Sequence, residues 1–360
     1  MSRQEGTPLL NSLTGDTELA ALFSPQAEVD AILTFQSALA RAQEAVGLLA
    51  PGAAGRIRAG IARFRPDMQD IVAGLVRDGV PVPALVRQLR AAVGLLDAAA
   101  VHRGATSQDA VDTGLMLRLK VALGILAERL AASVSQIDTL ARAEGQTELM
   151  AQTRMQAALP ICVADKLATW RAPLDDHAQR LMRLQAQLPL QLGGPVGTGS
   201  AFQGEAPRLR EVMSDILGLA AREPWHSDRT PILDIAHALA LLTGTLGKIG
   251  QDIALLAQSD RRAVHLGAAG ASSAMAHKRN PVAAEVLVAI ARANAGSAGT
   301  LQQAMVHENE RSGAAWTLEW MVLPTMVISA GAALRHAQEL LAGISFLPPQ
   351  TCSEPRTCGG

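Results

Sequence analysis

The sequence predicts an all-α fold with a central bundle of long helices, and three observations carry that expectation. Alanine and leucine dominate the 360 residues, tyrosine is absent, and aromatic residues make up 2%. Small, straight aliphatic side chains suit helices packed closely together, whereas sheets favour β-branched and aromatic ones. A helical apolar pattern also runs without a break from the Thr106–Asp109 region to about Arg142, some 50 Å at 1.5 Å per residue. Finally, no alternation of strand, glycine-rich turn and helix appears, so a nucleotide-binding α/β sheet is not supported.

The elements follow in order. A first helix spans 25 to 49, with Ser24 as cap and Pro25 in its first turn, and Pro51-Gly52 ends it. A shorter helix follows Pro66, and another runs from Pro83 to about Val101. His102 to Asp109 reads as a loop feeding the long helix, with Thr106 or Ser107 as cap and Asp109 in the first turn. Further helices are expected over 164–188, 207–219, 232–258, 281–307 and 314–341. Glycine-rich loops at 192–199 and 267–273 separate some of them. The first of these loops lacks the lysine of a phosphate-binding loop.

Composition narrows the function classes. Thirty-two basic and 33 acidic residues leave a formal charge of -1, which gives no reason to expect nucleic-acid binding. No leader-like pattern opens the chain, and no window holds about 18 uninterrupted apolar residues, so no membrane association and a cytoplasmic location are the expectation. Three cysteines, Cys162, Cys352 and Cys358, form neither a disulfide scaffold nor a zinc pattern. Metal motifs such as His-Glu-x-x-His are absent. Chemistry by side chains alone, without cofactor or metal, on a substrate with carboxylates fits best.

Polar islands interrupt the helical background. The first, His102 to Asp109, is a loop and cap on its plainest reading. It also offers hydroxyls and helix-start N–H groups to a carboxylate. The second, Ala269 to Pro281, joins two serines, a histidine, two cations and an asparagine. It reads either as an exposed basic loop or as a mobile segment that brings charge to an acidic substrate. Its Lys278 is one of only four lysines. The third, His307 to Arg311, reads as a solvated helix junction or as part of a site, and Trp225-His226 is a weaker fourth candidate.

The run Ser272-Ser273-Ala274-Met275-Ala276-His277-Lys278-Arg279-Asn280-Pro281 resembles the common loop of the fumarase/aspartase superfamily, Gly-Ser-Ser-x-Met-Pro-x-Lys-x-Asn-Pro. Ala271 and Ala276 depart from it. Thr106-Ser107-x-Asp109 with Asp112-Thr113 is similar to the superfamily's second conserved region. Pro224-Trp225-His226 and His307-Glu308-x-Glu310-Arg311-Ser312, with Leu318-Glu319-Trp320, resemble the branch that holds the carboxymuconate cycloisomerases and adenylosuccinate lyase. Gln156 to Pro160 and Phe64-Arg65-Pro66 favour the cycloisomerases. These matches span about residues 60 to 320.

The resemblance implies an N-terminal helical domain over 1–103 and a long-helix bundle over 104–342 that forms a tetrameric twenty-helix core. A short tail over 343–360, poorly ordered from Pro348, stands where the usual C-terminal domain is reduced or absent. It implies a homotetramer whose active sites are shared between subunits. It also implies reversible lactonisation of 3-carboxy-cis,cis-muconate, a tricarboxylate, to 4-carboxymuconolactone in protocatechuate catabolism. The alternative is an adenylosuccinate-like or argininosuccinate-like lyase that releases fumarate. By position, Ser272 becomes the proton-transferring serine, assisted by Ser273. Lys278 and Asn280 bind the carboxylate whose charge grows, Thr106 and Ser107 hold a carboxylate from another subunit, and His102 contacts substrate and aids proton transfer. His307 and Arg311 become candidates to orient the substrate or bind a carboxylate. Where many superfamily lyases carry a Thr-His pair this chain has Thr153-Arg154, so the usual acid histidine is missing, and Arg154 is a candidate for a third carboxylate.

Overall fold

The computed structural model describes residues 8–267, 270, 271, 275 and 278–348. Its architecture is predominantly α-helical. Six helices come first: α1 (Pro8–Thr14), α2 (Thr17–Ala21), α3 (Pro25–Ala45), α4 (Ala53–Arg63), α5 (Met68–Asp78) and α6 (Val82–Val93). Ser24 caps α3 by accepting from the Ala27 N–H, with Pro25 in the first turn as the sequence suggests.

The 38-residue helix α7 (Ser107–Glu144) forms the spine. A β-hairpin, β1 (Glu148–Thr153) paired antiparallel with β2 (Gln156–Cys162), returns the chain to α8 (Val163–Ala186). Then come α9 (Ala206–Leu217), α10 (Thr230–Leu256), β3 (Val264–Leu266), β4 (Gly270–Ala271), β5 (Arg279–Asn280), α11 (Val282–Gln302), α12 (Gly313–Gly343) and β6 (Ile344–Phe346). The expected helical architecture is borne out, and among the described residues three short two-stranded pairings, β1–β2, β3–β6 and β4–β5, accompany it. In the hairpin turn Arg154 and Met155 hold φ of 48° and 66°, a left-handed pair that reverses the chain in two residues.

Helices α7, α8, α10, α11 and α12 pack as a bundle. Small residues set its spacing. A Cβ on Gly247 would meet the Ala291 Cβ at 2.5 Å, and one on Gly250 would meet the Ala284 carbonyl oxygen at 2.6 Å, so α10 and α11 approach nearly backbone to backbone. Helices α10 and α12 are apolar and long enough to cross a membrane, yet more than half of each apolar window is buried inside the bundle. They are the core helices of this fold.

The bundle has two ends. At one end lie the starts of α7, α10 and α12, tied by Arg229, which binds Asp112 and Glu319. At the other lie the ends of α7 and α12. There β3 pairs with β6, the Phe346 N–H donates to Glu144 Oε2 at 2.6 Å, and Arg261 reaches the hairpin at the Met150 carbonyl. The strand pair β4–β5, which carries Asn280, precedes α11 at this second end. The expected disorder from Pro348 concerns residues that, from 349 onward, lie outside the described ones.

Candidate active site

Asp109 organises the first end. The backbone N–H of Thr106 donates to its Oδ2 at 2.9 Å, which closes the first turn of α7. The same carboxylate accepts from the Gly193 N–H at 2.8 Å, the Gly194 N–H at 2.9 Å and His226 Nε2 at 2.9 Å. An ionised carboxylate only accepts, so His226 carries its proton on Nε2. Its Nδ1 is buried and has no hydrogen-bond partner. Asp109 is wholly buried and holds the helix start, the glycine loop and the Trp225-His226 loop together.

Three residues along α7, Asp112 anchors a second network. Arg229 donates to it from Nη1 at 2.8 Å and Nη2 at 3.1 Å, and Trp316 Nε1 donates at 3.0 Å. The other edge of Arg229 reaches Glu319, with Nε at 2.8 Å and Nη2 at 2.6 Å. Burial opposes the charge on Arg229, but the two carboxylates raise its pKa above the ordinary arginine value.

Arg311 joins the third island to the first. Its Nε donates to Gln108 Oε1 at 3.0 Å, and its Nη2 donates to Thr106 Oγ1 at 3.1 Å and to the Pro195 carbonyl at 2.9 Å. Ser107 opens α7 beside them, partly accessible. His307 comes from the same island but turns inward. Its side chain is buried, neither ring nitrogen has a hydrogen-bond partner, and Nε2 lies 3.8 Å from Glu319 Oε1.

His102 sits just before this cluster, with φ of 60°, a costly left-handed conformation for a non-glycine residue. Gln36 Nε2 lies 2.9 Å from its Nδ1. An amide nitrogen donates, so Nδ1 accepts and the proton of the neutral ring sits on Nε2. Burial pushes the His102 pKa down to about 4, partly opposed by Asp109 and reinforced by Arg90. The imidazole is therefore neutral at pH 7 and offers a donor N–H.

Of the remaining predicted residues, Arg154, Lys278 and Asn280 lie at the other end of the bundle. Arg154 is exposed at the hairpin tip. Lys278 is exposed, its backbone N–H bonded to the Met275 carbonyl, and Asn280 is half-buried opposite Gly270. Ser272 and Ser273 lie outside the described residues. Helix α10 alone, 27 residues long, separates the two ends by about 40 Å. One chain thus brings together His102, Thr106, Ser107 and Arg311, with His307 behind them, and keeps Arg154, Lys278 and Asn280 apart from that group.

Sequence reasoning missed Asp109 as a hub, the Asp112–Arg229–Glu319 network and the part played by Gly193 and Gly194. A groove of about 770 Å³ between α3, the Phe64-Arg65-Pro66 turn and α9 shares no lining residue with either group.

Residues 17–296 match the family described as Lyase. The 3-carboxy-cis,cis-muconate cycloisomerase of Pseudomonas aeruginosa is 37% identical over 334 residues, covering 91% of this chain and 73% of the relative. Nitrosuccinate lyase of Streptomyces davaonensis is 36% identical, covering 94% of this chain and 74% of the relative. Among solved structures, the 3-carboxy-cis,cis-muconate lactonizing enzyme of Pseudomonas putida superimposes with a TM-score of 0.86 at 34% identity, over 94% of this chain and 77% of that one. The chain belongs to the lyase family of the fumarase/aspartase superfamily, alongside the 3-carboxy-cis,cis-muconate cycloisomerases.

Proposed function

We propose that the chain catalyses the reversible cycloisomerisation of 3-carboxy-cis,cis-muconate to 4-carboxymuconolactone, as a cytoplasmic homotetramer. In lactonisation a substrate carboxylate oxygen adds to one carbon of a double bond. The π electrons pass to the neighbouring carbon, whose charge is shared with an adjacent carboxylate. That carbon then takes a proton, so one proton is consumed per turnover. Such a reaction needs donors for three carboxylates and one acid, and no redox partner.

The observation that carries this reading, beyond family membership, is the division of the site residues between opposite ends of one chain. A second subunit laid antiparallel along the bundle would bring Lys278 and Asn280 of one copy to Thr106, Ser107, His102 and Arg311 of another. A hairpin tip carrying Arg154 would come from a third copy. In this arrangement Lys278 and the N–H groups at the start of α7 neutralise carboxylates, and Ser272 supplies the proton to carbon with Ser273 beside it. The neutral His102 donates from Nε2. Asn280 orients the carboxylate on which charge develops. We assign residues 1–103 to an N-terminal helical domain and 104–342 to the bundle domain.

Thr153-Arg154 in place of the Thr-His pair weighs against an elimination that depends on an acid histidine. The nitrosuccinate lyase relative supports a second reading, elimination from a substituted succinate. The purified protein, supplied with no cofactor, should remove the absorbance of 3-carboxymuconate and leave nitrosuccinate and adenylosuccinate untouched. The reverse pattern of turnover sinks the cycloisomerase reading in favour of the second one.

A further inference from the structure

We propose that Asp109 is a positioning residue for substrate binding, acting on Arg311 through a closed ring of hydrogen bonds. The inference rests on the site proposed above and adds to it. Starting from Asp109 Oδ2, the ring passes to the Gly194 N–H at 2.9 Å and along the backbone to the Pro195 carbonyl. That carbonyl accepts from Arg311 Nη2 at 2.9 Å, the same nitrogen donates to Thr106 Oγ1 at 3.1 Å, and the Thr106 N–H returns to Asp109 Oδ2 at 2.9 Å. Every link is a direct bond between groups on three segments far apart in sequence.

The ring has a chemical consequence for the guanidinium. Its Nε is committed to Gln108 and its Nη2 to two oxygens, so among the described residues Nη1 alone donates to no protein group. A planar fork held along one edge presents its remaining nitrogen in a fixed direction. Arg311 is partly accessible, as are Thr106, which it bonds, and Ser107 at the start of α7. Nη1 is thereby the donor left for a substrate carboxylate. Asp109 is wholly buried and does not touch the substrate, and it sets where that donor stands.

Asparagine at position 109 cannot hold the ring. Asp109 takes four donors on two oxygens, whereas an amide has one oxygen and presents N–H groups to N–H groups on its other side. A loss of stability is expected on any account of Asp109, so melting temperature is not the readout. The test is a double-mutant cycle in binding of propane-1,2,3-tricarboxylate, a non-reacting tricarboxylate, to the intact oligomer, scored per folded site by calorimetry.

Asp109→Asn and Arg311→Lys should each weaken binding by about tenfold, and the double variant should bind no more weakly than Arg311→Lys alone. Losses that multiply, an Asp109→Asn protein that binds as the parent does, or a parent with no measurable binding would each overturn the proposal. Should Asp109→Asn fail to fold, Thr106→Val opens the ring at a half-buried point and takes its place in the cycle under the same criteria. A parent protein that binds the tricarboxylate with this coupling but does not turn over 3-carboxymuconate sinks the proposed reaction and leaves the positioning role standing.

Discussion

Arg229 Nη1 donates to Asp112 Oδ2 at 2.8 Å, and both side chains are almost wholly removed from water. The pair joins the start of α10 to the start of α7, and Glu319 on the other edge of the guanidinium adds α12. Three bundle helices are thus locked in register at the end where His102, Thr106 and Arg311 gather. Arg229→Met removes the cation that bonds both carboxylates of this network and strands two buried charges. The expected cost is about 3–5 kcal/mol. Urea unfolding of the variant and the parent measures it, and a loss under about 1 kcal/mol would show that the network is not what holds this end together.

Neutral His102 gives stability a defined pH dependence. Its pKa is depressed from the ordinary 6.5 to about 4, so between these values the unfolded chain binds the proton that the folded chain refuses. This contribution to stability is fully present above about pH 6.5 and is lost as pH falls toward 4. His102→Gln should flatten that part of the profile of melting temperature against pH. The ring should also show no titration between pH 5.5 and 8 by NMR, and a histidine midpoint near 6.5 contradicts the buried neutral ring.

Much of the bundle was legible because its signals are local. Ser24 with Pro25, and Thr106 three residues before Asp109, mark helix starts within a few positions. The hairpin was not legible. Its turn, Thr153-Arg154-Met155-Gln156, contains none of the Gly, Asn or Asp that normally announce two consecutive left-handed residues, and Ala157-Ala158-Leu159 has little strand preference. Asp109 was read as a helix-start acid, which it is. Its partners at Gly193, Gly194 and His226 lie 84, 85 and 117 positions away, so no spacing reveals them. Nor does any pattern disclose that Arg229 is buried between two carboxylates.

The glycine loop is tightly packed against its neighbours. A Cβ on Gly193 would lie 2.7 Å from the Pro224 Cβ, 2.9 Å from the Gly197 Cα and 2.9 Å from His226 Cε1. Two of these neighbours, Pro224 and His226, belong to the Pro224-Trp225-His226 segment that Asp109 holds through His226, so the loop cannot yield without disturbing the hub. Gly193→Ala should cost about 1–3 kcal/mol and lower activity. Gly244→Ala, in the interior of α10 where the added methyl meets nothing within 4 Å, serves as the control, and should leave activity unchanged and raise stability by up to about 1 kcal/mol.

The division of candidate residues between the two ends of the bundle makes a prediction that a self-sufficient monomer does not. Arg311→Gln damages the end with Thr106 and Ser107, and Lys278→Ala damages the end with Asn280. Loss of one preorganised charge donor typically costs roughly 3–4 kcal/mol in the transition state, so each variant alone should be nearly inactive. If sites are built from different copies, hybrids of the two variants contain some sites assembled wholly from undamaged halves. Co-refolding the variants should then restore activity well above either alone, rising to a maximum at equal proportions. Were every site contained in one chain, each would carry one of the lesions, and the mixture would show only the average of the two. The sedimentation coefficient of the hybrids, measured on the same samples, must match that of the parent, because recovery with a changed assembly would arise from a different route.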